Sequence, residues 1–262
     1  MSDRLIISCD PGIFNLAICC TLSRRGVISV LYWKNHDVTD LNNEIVKVKK
    51  RNKVAPDCEM GTCQSTVKKT KKICGKPGQL NSKGRAYCGV HNPATKHRAD
   101  DTQRWAFALL QALPKIAAEI SVLIPKDCQV EVVIERQCST NQRIAIQGHL
   151  IYGFWVNHFS NTVPVTFFAA YNKLLAYDGP EIVSKYKTAY ARRKDISKRQ
   201  CSWYLHEKPE LQPWLPFFTD NKAKGDDLSD AFLQSLFVLF GRAAAAASSS
   251  ADPKRRRRKL RF

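Results

Sequence analysis

The chain has 262 residues, of which 44% are hydrophobic, so it can build a buried core and a globally disordered protein is excluded. It holds 42 Lys and Arg against 23 Asp and Glu, a formal net charge of +19. The excess is confined to two segments: residues 47–98 carry +12 and residues 253–262 carry +7. A neutral body with two basic attachments predicts a polyanionic partner, most simply a nucleic acid.

The hydrophobic pattern predicts an α/β protein. Apolar runs separated by turn residues predict three strands of an antiparallel meander, Leu5–Cys9, Leu16–Leu22 and Gly26–Trp33. The later periodicities predict a helix, a strand, a helix, a strand and two helices, over Asp101–Ile124, Val130–Ile134, Asn141–Phe159, Val163–Phe168, Lys185–Leu205 and Asp226–Phe240. This order predicts a mixed sheet flanked by helices.

Composition shifts predict the domain organisation. We expect a main globular body of residues 1–46 plus 99–242, a basic Cys/His insertion over 47–98, and a flexible Ala/Ser linker with a basic tail over 243–262. The tail is expected to serve nuclear import, nonspecific DNA contact or both, although a solvated charged tail without a role is the alternative.

The sequence gives no sign of a membrane span or of secretion. No run of eighteen apolar residues occurs, and the nearest candidate, Ala231–Ala247, is interrupted by Gln234, Ser235 and Arg242. The first residues lack a basic segment followed by an apolar stretch. Four of the ten cysteines fall between positions 58 and 88, so we expect a reducing intracellular compartment and one metal site rather than disulfides.

Four acidic residues are predicted to converge. Asp10 and Glu135 end buried strands, and Asp227 and Asp230 share one face of the last helix. Taken singly, each has an ordinary structural explanation, as a turn former, a satisfied strand-end acid or a helix-terminal charge. Together they would repel unless divalent cations neutralised them, and carboxylate oxygens favour Mg²⁺ or Mn²⁺. Two such ions about 4 Å apart would suit phosphodiester hydrolysis.

Three segments that contain these acids carry a family resemblance. Ser8–Ala17, Val133–Gln137 and Gly225–Ala231 resemble the three motifs of RuvC-like Holliday junction resolvases. The match looks closest to the branch that holds the poxvirus and other large-DNA-virus resolvases and the yeast mitochondrial resolvase. The resemblance implies a ribonuclease H-like nuclease fold over most of residues 1–46 and 99–240.

The resemblance also implies an activity. Asp10, Glu135, Asp227 and Asp230 become the catalytic carboxylates that bind two Mg²⁺ or Mn²⁺ ions, and Asp226 occupies an extra acidic position beside them. The expected function is a metal-dependent endonuclease that resolves four-way DNA junctions by paired symmetric nicks, in recombination or viral genome processing. The resemblance further implies a homodimer, so that two sites cut opposed strands. The basic tail, by contrast, is what suggests a location in the nucleus or a viral factory.

Further residues are expected to contact DNA. The family's basic segment before its last motif looks matched by Lys187, Arg192, Arg193, Lys194 and Lys198, with Tyr186 and Arg199 beside them; a solvated helix face is the alternative. Arg136 and Gln137 extend the second motif toward the cleaved strand, and Phe14 is expected to probe the junction.

The basic insertion has no counterpart in the family's minimal fold. It contains Cys58-x4-Cys63-x10-Cys74-x13-Cys88-x2-His91, and thiolate and imidazole ligands in a segment without a core favour structural Zn²⁺. We expect Cys63, Cys74, Cys88 and His91 as ligands, with Cys58 as the substitute for Cys63. DNA contact is the simplest role, and a purely structural insert, a protein-binding one or a loop with incidental cysteines are the alternatives.

Three other functions are weighed against junction resolution. The first is a ribonuclease H-like nuclease that acts on hybrids, flaps or transposon ends. The second is a non-catalytic zinc-containing DNA-binding protein. The third is an actin-like phosphotransferase, which the absence of a second Gly-rich phosphate loop in the sequence disfavours.

Overall fold

The computed structural model describes residues 3–12, 15–38, 60–67, 70–80, 86–88, 91, 99–137 and 141–241. The chain divides into two compact units, Met1–Leu41 with Ala108–Phe262, and Asn42–Phe107. Phe14, Cys58 and the basic tail lie outside the described residues. The predicted bounds of body, insertion and tail therefore stay a prediction.

The described residues form eight strands and five α-helices. The strands are β1 (Arg4–Pro11), β2 (Asn15–Arg24), β3 (Val27–Asp37), β4 (Met60–Thr62), β5 (Pro77–Leu80), β6 (Ala86–Tyr87), β7 (Gln129–Arg136) and β8 (Val165–Ala169). The helices are α1 (Ala99–Ser121), α2 (Gln142–His158), α3 (Ala189–Glu207), α4 (Leu215–Asp220) and α5 (Gly225–Leu236), with 3-10 helices at Ala170–Ala176, Pro209–Trp214 and Lys222–Lys224 and a π-helical turn at Phe237–Gly241.

The first unit contains a five-stranded mixed sheet in the order β3-β2-β1-β7-β8. The first three strands form an antiparallel meander, whereas β7 pairs parallel with both β1 and β8. A two-residue loop joins β2 to β3, and its residues Arg25 and Gly26 have φ angles of 51° and 83°, which match the twist of a tight hairpin. The predicted fold class, a mixed sheet flanked by helices, is confirmed.

Helices cover both faces of this sheet. On one face, α1 and α2 pack against alternate residues of the central strands, such as Leu5, Ile7 and Ile134. The other face, which includes Ala17 and Cys19, packs against α3 and α5. Side chains alternate between the faces of a strand, so Asp10 lies on the same face as Ile6 and Ser8. The first acidic residue therefore belongs to the α5 side of the sheet.

The predicted elements are confirmed with shifted ends. The basic helix begins at Ala189 rather than Lys185, because the Thr188 hydroxyl accepts a hydrogen bond from the Ala191 N–H at 3.2 Å and caps the helix there. The last helix ends at Leu236 and continues as the π-helical turn. Among the described residues, no helix combines the length and the apolar character that crossing a membrane requires.

The second unit contains a three-stranded antiparallel sheet, β4-β5-β6. Between β4 and β5 the chain forms a small hairpin, with a bridge between Thr66 and Ile73 and a hydrogen bond from the Val67 N–H to the Lys72 carbonyl at 2.8 Å. Backbone hydrogen bonds from Cys63 to Lys76 and from Gly75 to Cys63 close the base of this hairpin. Its ends thus bring the first two predicted zinc ligands together.

Candidate active site and metal centres

Three of the four predicted catalytic acids meet at one end of the sheet. Cys9 of β1 pairs with Ile134 of the parallel strand β7, so Asp10 and Glu135 follow as the next residues of neighbouring strands. Asp230 joins them from α5. Oxygen atoms of all three carboxyl groups lie within 4.8 Å of one another, close enough to share a metal ion.

Asp227, the fourth predicted acid, lies at the margin of this cluster. Its carboxylate accepts a hydrogen bond from the Asn35 amide at 3.3 Å. The strand register places Asn35 near the cluster. Asp10 pairs with Ala17 and Ala17 pairs with Asn35, so the side chains of Asp10, Ala17 and Asn35 share one face of the sheet. Within the described residues, the tight group is therefore a set of three, and Asp227 is its neighbour.

Asp226, the extra acid beside the third motif, points to a different partner. Its carboxylate accepts a hydrogen bond from the Lys194 ammonium group. Burial favours the neutral acid, but the contact with Lys194 outweighs this effect and lowers the pKa of Asp226. Asp226 thus fixes the basic helix α3 against α5 and is not part of the cluster of three.

A buried lysine completes the acidic cluster, and the sequence motifs did not indicate it. Lys173 is only 8% exposed, and its ammonium group lies 2.6 Å from both Glu135 Oε2 and Asp230 Oδ2. It sits in the 3-10 helix that follows the parallel strand β8. The rule that sites form beyond the carboxyl ends of parallel strands would have drawn attention to it.

The pKa values of the clustered groups are shifted in the directions expected for buried, closely packed carboxylates that lie beside one positive charge. Burial, together with the negative charge of Glu135, raises the pKa of Asp10. Burial likewise raises the pKa of Glu135, although Lys173 opposes this shift. For Lys173 burial favours the neutral amine, but the carboxylates of Asp230 and Glu135 prevail and raise its pKa. One ammonium group offsets only part of the negative charge of this cluster.

The other predicted DNA-contacting residues lie around the cluster to different extents. Gln137 donates a hydrogen bond to Asp10 Oδ1 at 3.4 Å, while Arg136 is exposed at the end of β7. On α3, Ser197 donates to Asp230 Oδ1 at 2.5 Å, which places this helix against the site. The remaining predicted basic residues are exposed or half-buried near or on this helix: Lys187, Arg192, Arg193, Lys194 and Lys198.

The second unit gathers the four preferred zinc ligands. Sγ atoms of Cys63, Cys74 and Cys88 and a ring nitrogen of His91 all lie within 4.8 Å of one another. His91 Nδ1 is 3.5 Å from Cys63 Sγ and 3.4 Å from Cys88 Sγ, and the Cys74 and Cys88 sulfurs are 3.8 Å apart. These separations are those of a tetrahedral ligand set.

The thiol chemistry of this group suits a metal. Burial opposes ionisation of Cys63, but hydrogen bonds from the backbone of Cys88 and Ser65 lower its pKa to about 6. Zinc binds the thiolate form of cysteine, so the lowered pKa of Cys63 favours this residue as a zinc ligand. The alternative ligand, Cys58, lies outside the described residues. Three sulfurs and one imidazole nitrogen favour Zn²⁺ over the oxygen-seeking Mg²⁺.

Comparisons with known proteins give matches only among solved structures. No protein-family model and no curated protein matches the sequence. The yeast mitochondrial Holliday junction resolvase Ydc2 is similar with a TM-score of 0.45 and 11% identity, over 89% of this chain and 78% of that one. Thermus thermophilus RuvC in complex with a Holliday junction substrate gives 0.41 and 12%, over 92% and 96%. These neighbours are Holliday junction resolvases.

A structure of Thermus thermophilus RuvC alone gives a TM-score of 0.40 and 12% identity, over 91% of this chain and 97% of that one. The resolvases named from the sequence motifs therefore recur among the structural neighbours. The closer likeness to the poxvirus branch stays a prediction.

Proposed function

We propose that the protein is a divalent-metal-dependent endonuclease that resolves four-way DNA junctions. The observation that supports the proposal most strongly is the meeting of Asp10, Glu135 and Asp230, with oxygen atoms within 4.8 Å of one another, at the end of the mixed sheet. Their all-oxygen ligand set fits Mg²⁺ or Mn²⁺. A purely structural role is disfavoured, since the single ammonium group of Lys173 offsets only part of the charge of three clustered carboxyl groups.

Each residue of the site has a role in the proposed reaction. Asp10, Glu135 and Asp230 would hold the catalytic cations, two ions as the motifs imply, with Asp227 at the edge of the group. Bound divalent ions supply an activated water and stabilise charge on the phosphate and the leaving oxygen. Lys173 bridges Glu135 and Asp230 and would have to share their oxygens with a bound cation, and Ser197 orients Asp230 through its hydrogen bond. The bases of α3 would neutralise DNA phosphates near the site.

The junction preference is tested by a substrate comparison. Wild-type protein with Mg²⁺ or Mn²⁺ is incubated with an immobile four-way DNA junction, a flap, a linear duplex and an RNA–DNA hybrid of the same sequence. We expect the junction to be cut at the highest rate. Faster cleavage of the hybrid or the flap would favour the ribonuclease H-like alternative. If no substrate is cleaved, the remaining hypothesis is a non-catalytic DNA-binding protein.

We also propose that Cys63, Cys74, Cys88 and His91 bind one structural Zn²⁺. Purified protein is expected to contain about one zinc per chain by elemental analysis. Cys88→Ser should reduce that content by half or more, because removing one thiolate from a four-ligand site weakens binding strongly. Cys128→Ser is the matched control, since this cysteine lies outside the group, and it should retain the metal.

A further variant separates the two ligand sets that the sequence allowed. Cys58→Ser should also retain one zinc per chain, because Cys63 occupies the fourth position of the group. Loss of zinc in Cys58→Ser with retention in Cys63→Ser would contradict this ligand set. Full zinc content in Cys88→Ser would contradict the site itself.

The basic tail is proposed to strengthen DNA binding or to direct the protein to the nucleus or a viral factory. Deletion of residues 253–262 removes seven positive charges. If all of them contact phosphates, the slope of log K against log salt should become less steep by about 6. Junction affinity measured between 50 and 200 mM salt (about fourfold in concentration) tests this, with cleavage at saturation unchanged. An unaltered slope would leave a targeting role or a charged tail without a role.

We further propose a homodimer, because paired nicks in opposed strands need two sites. Analytical ultracentrifugation of the free protein and of its junction complex measures the number of chains. Two chains per junction agree with the proposal, and one chain per junction contradicts it.

A further inference from the structure

Exposed tyrosines stand among the bases at the start of α3, where core packing does not require them. Tyr190 is 63% exposed and Tyr186 is 47% exposed. The residues around them in sequence, Lys185, Lys187, Arg192 and Arg193, form a basic stretch. Aromatic rings set among positive charges are the arrangement by which proteins bind nucleic-acid strands with unstacked bases.

Helical geometry directs Tyr190 toward the acidic cluster. At 3.6 residues per turn, positions 190, 193, 194 and 197 lie on one face of the helix. Two members of this face contact the site region directly: Lys194 pairs with Asp226, and Ser197 donates to Asp230 Oδ1 at 2.5 Å. Tyr190 therefore lies on the same face of α3 as the two residues that contact these acids, one turn before Lys194, where its own side chain is largely exposed.

The distance along the helix suits a DNA strand. Ser197 lies seven positions after Tyr190, which corresponds to about 10 Å along the helix at 1.5 Å per residue. Along a B-form duplex, which rises roughly 3.4 Å per nucleotide of each strand, that length covers about three nucleotides, and a more extended, opened strand covers it in fewer. Lys194 lies between the two, and its ammonium group is 5.0 Å from the centre of the Tyr190 ring. A phosphate near Lys194 would thus leave a neighbouring base within reach of the ring.

We propose that Tyr190 is a stacking platform for an unpaired base a few nucleotides from the cleaved phosphate. One side of the ring is occupied by Lys194, and its large exposed fraction leaves room for a base. The preferred substrate is then DNA whose strands open near the cleavage point, as at a junction centre. This inference rests on the proposed function for the position of the cleaved phosphate, but stacking itself needs only strand binding.

The experiment compares Tyr190→Leu with Tyr190→Phe, which keeps the ring. Both are made in the full-length chain carrying Glu135→Gln, so that the DNA stays intact. Dissociation constants are measured for an immobile four-way junction and for a series of the same junction with one abasic site at each of several positions near the centre. We expect Tyr190→Leu to weaken binding to the intact junction by about 5- to 150-fold, the range of one base–aromatic stack, and Tyr190→Phe by less than about twofold.

The abasic series identifies the cause of the loss. If Tyr190 stacks on a particular base, the difference in affinity between the Tyr190→Leu protein and its parent should vanish on the one or two junctions that lack that base. If the ring only holds Lys194 in place, the loss should be the same on every junction, and Lys194→Met should reproduce it. That second pattern, or equal affinity of Tyr190→Leu and its parent, would overturn the proposal.

Single-stranded DNA with the same abasic series separates this inference from the proposed function. Base-dependent loss on single strands together with no junction preference would retain the stacking platform and remove junction resolution. If wild-type protein cleaves junctions preferentially but the Tyr190→Leu and Tyr190→Phe proteins bind equally well, junction resolution is retained and the stacking platform is removed.

Discussion

Replacing Lys173 by Met is expected to lower the melting temperature in Mg²⁺-free buffer by roughly 6–20 °C. The substitution leaves the buried carboxylate of Glu135 and the half-buried carboxylate of Asp230, each 2.6 Å from the ammonium group, without their positive partner. Breaking a buried ion pair from one side costs about 3–5 kcal/mol, and each kcal/mol shifts the melting temperature by about 2–4 °C in a domain of this size. Differential scanning calorimetry measures the shift.

The response to Mg²⁺ gives a second measurement on the same variant. In wild-type protein Lys173 competes with a divalent cation for the same oxygens, whereas the Met variant offers them unopposed. Saturating Mg²⁺ should therefore raise the melting temperature of Lys173→Met more than that of wild type. Omitting Mg²⁺ is preferable to adding a chelator, because a chelator would also withdraw zinc.

Lys34→Met is the matched control for Lys173→Met. Lys34 also lies 2.7 Å from a carboxylate, that of Glu119, but both side chains are about half exposed, so the pair contributes at most about 1 kcal/mol. The Lys34→Met protein should melt within a few degrees of wild type, and Mg²⁺ should raise its melting temperature no more than that of wild type. Equal shifts in the two variants would contradict the role assigned to the buried lysine.

Replacing Glu135 by Gln is expected to lower the junction-cleavage rate by at least about 10³-fold, or ~4 kcal/mol of transition-state stabilisation. The amide has nearly the same shape as the carboxylate and can still accept a hydrogen bond from Lys173, so the fold should persist. It removes the negative charge that a divalent cation requires. Single-turnover cleavage with Mg²⁺ measures the rate, and junction affinity should change by no more than a few-fold.

Glu131→Gln provides the control within the same strand. Glu131 lies four residues before Glu135 in β7, and its carboxylate is 3.6 Å from Arg4 rather than in the cluster. Its cleavage rate should stay within about twofold of wild type. A comparable loss in both variants would indicate a general effect on the strand, and an unchanged rate in Glu135→Gln would remove this residue from the reaction.

The sequence predicts the sheet and two of the acids well because the signals are local. The β-branched run Val132–Ile134 forms a strand interior that is buried on both faces, and Asp10 and Glu135 come directly after the apolar residues of their strands. The chain order of strands and helices then limits the possible sheets. The zinc ligands are likewise predictable from a local signal, since only two residues separate Cys88 from His91.

The sequence could not predict contacts set by tertiary packing. Lys173 has no motif around it, and its burial depends on how the 3-10 helix after β8 meets α5. The separation of Asp227 from the tight group depends on the rotation of α5 and on Asn35 of β3. Because spacing places Asp227 and Asp230 on one helix face, it does not distinguish which of them reaches Asp10.

Strand-by-strand mapping of cleavage on a four-way junction tests the central claim most directly. Four copies of an immobile junction, each labelled on a different strand, are incubated with wild-type protein with and without Mg²⁺. We expect nicks at matching positions in two opposed strands, only with the divalent ion, and none with Glu135→Gln. Nicks without a divalent ion, nicks that persist in Glu135→Gln, or no nicks in any strand would contradict it.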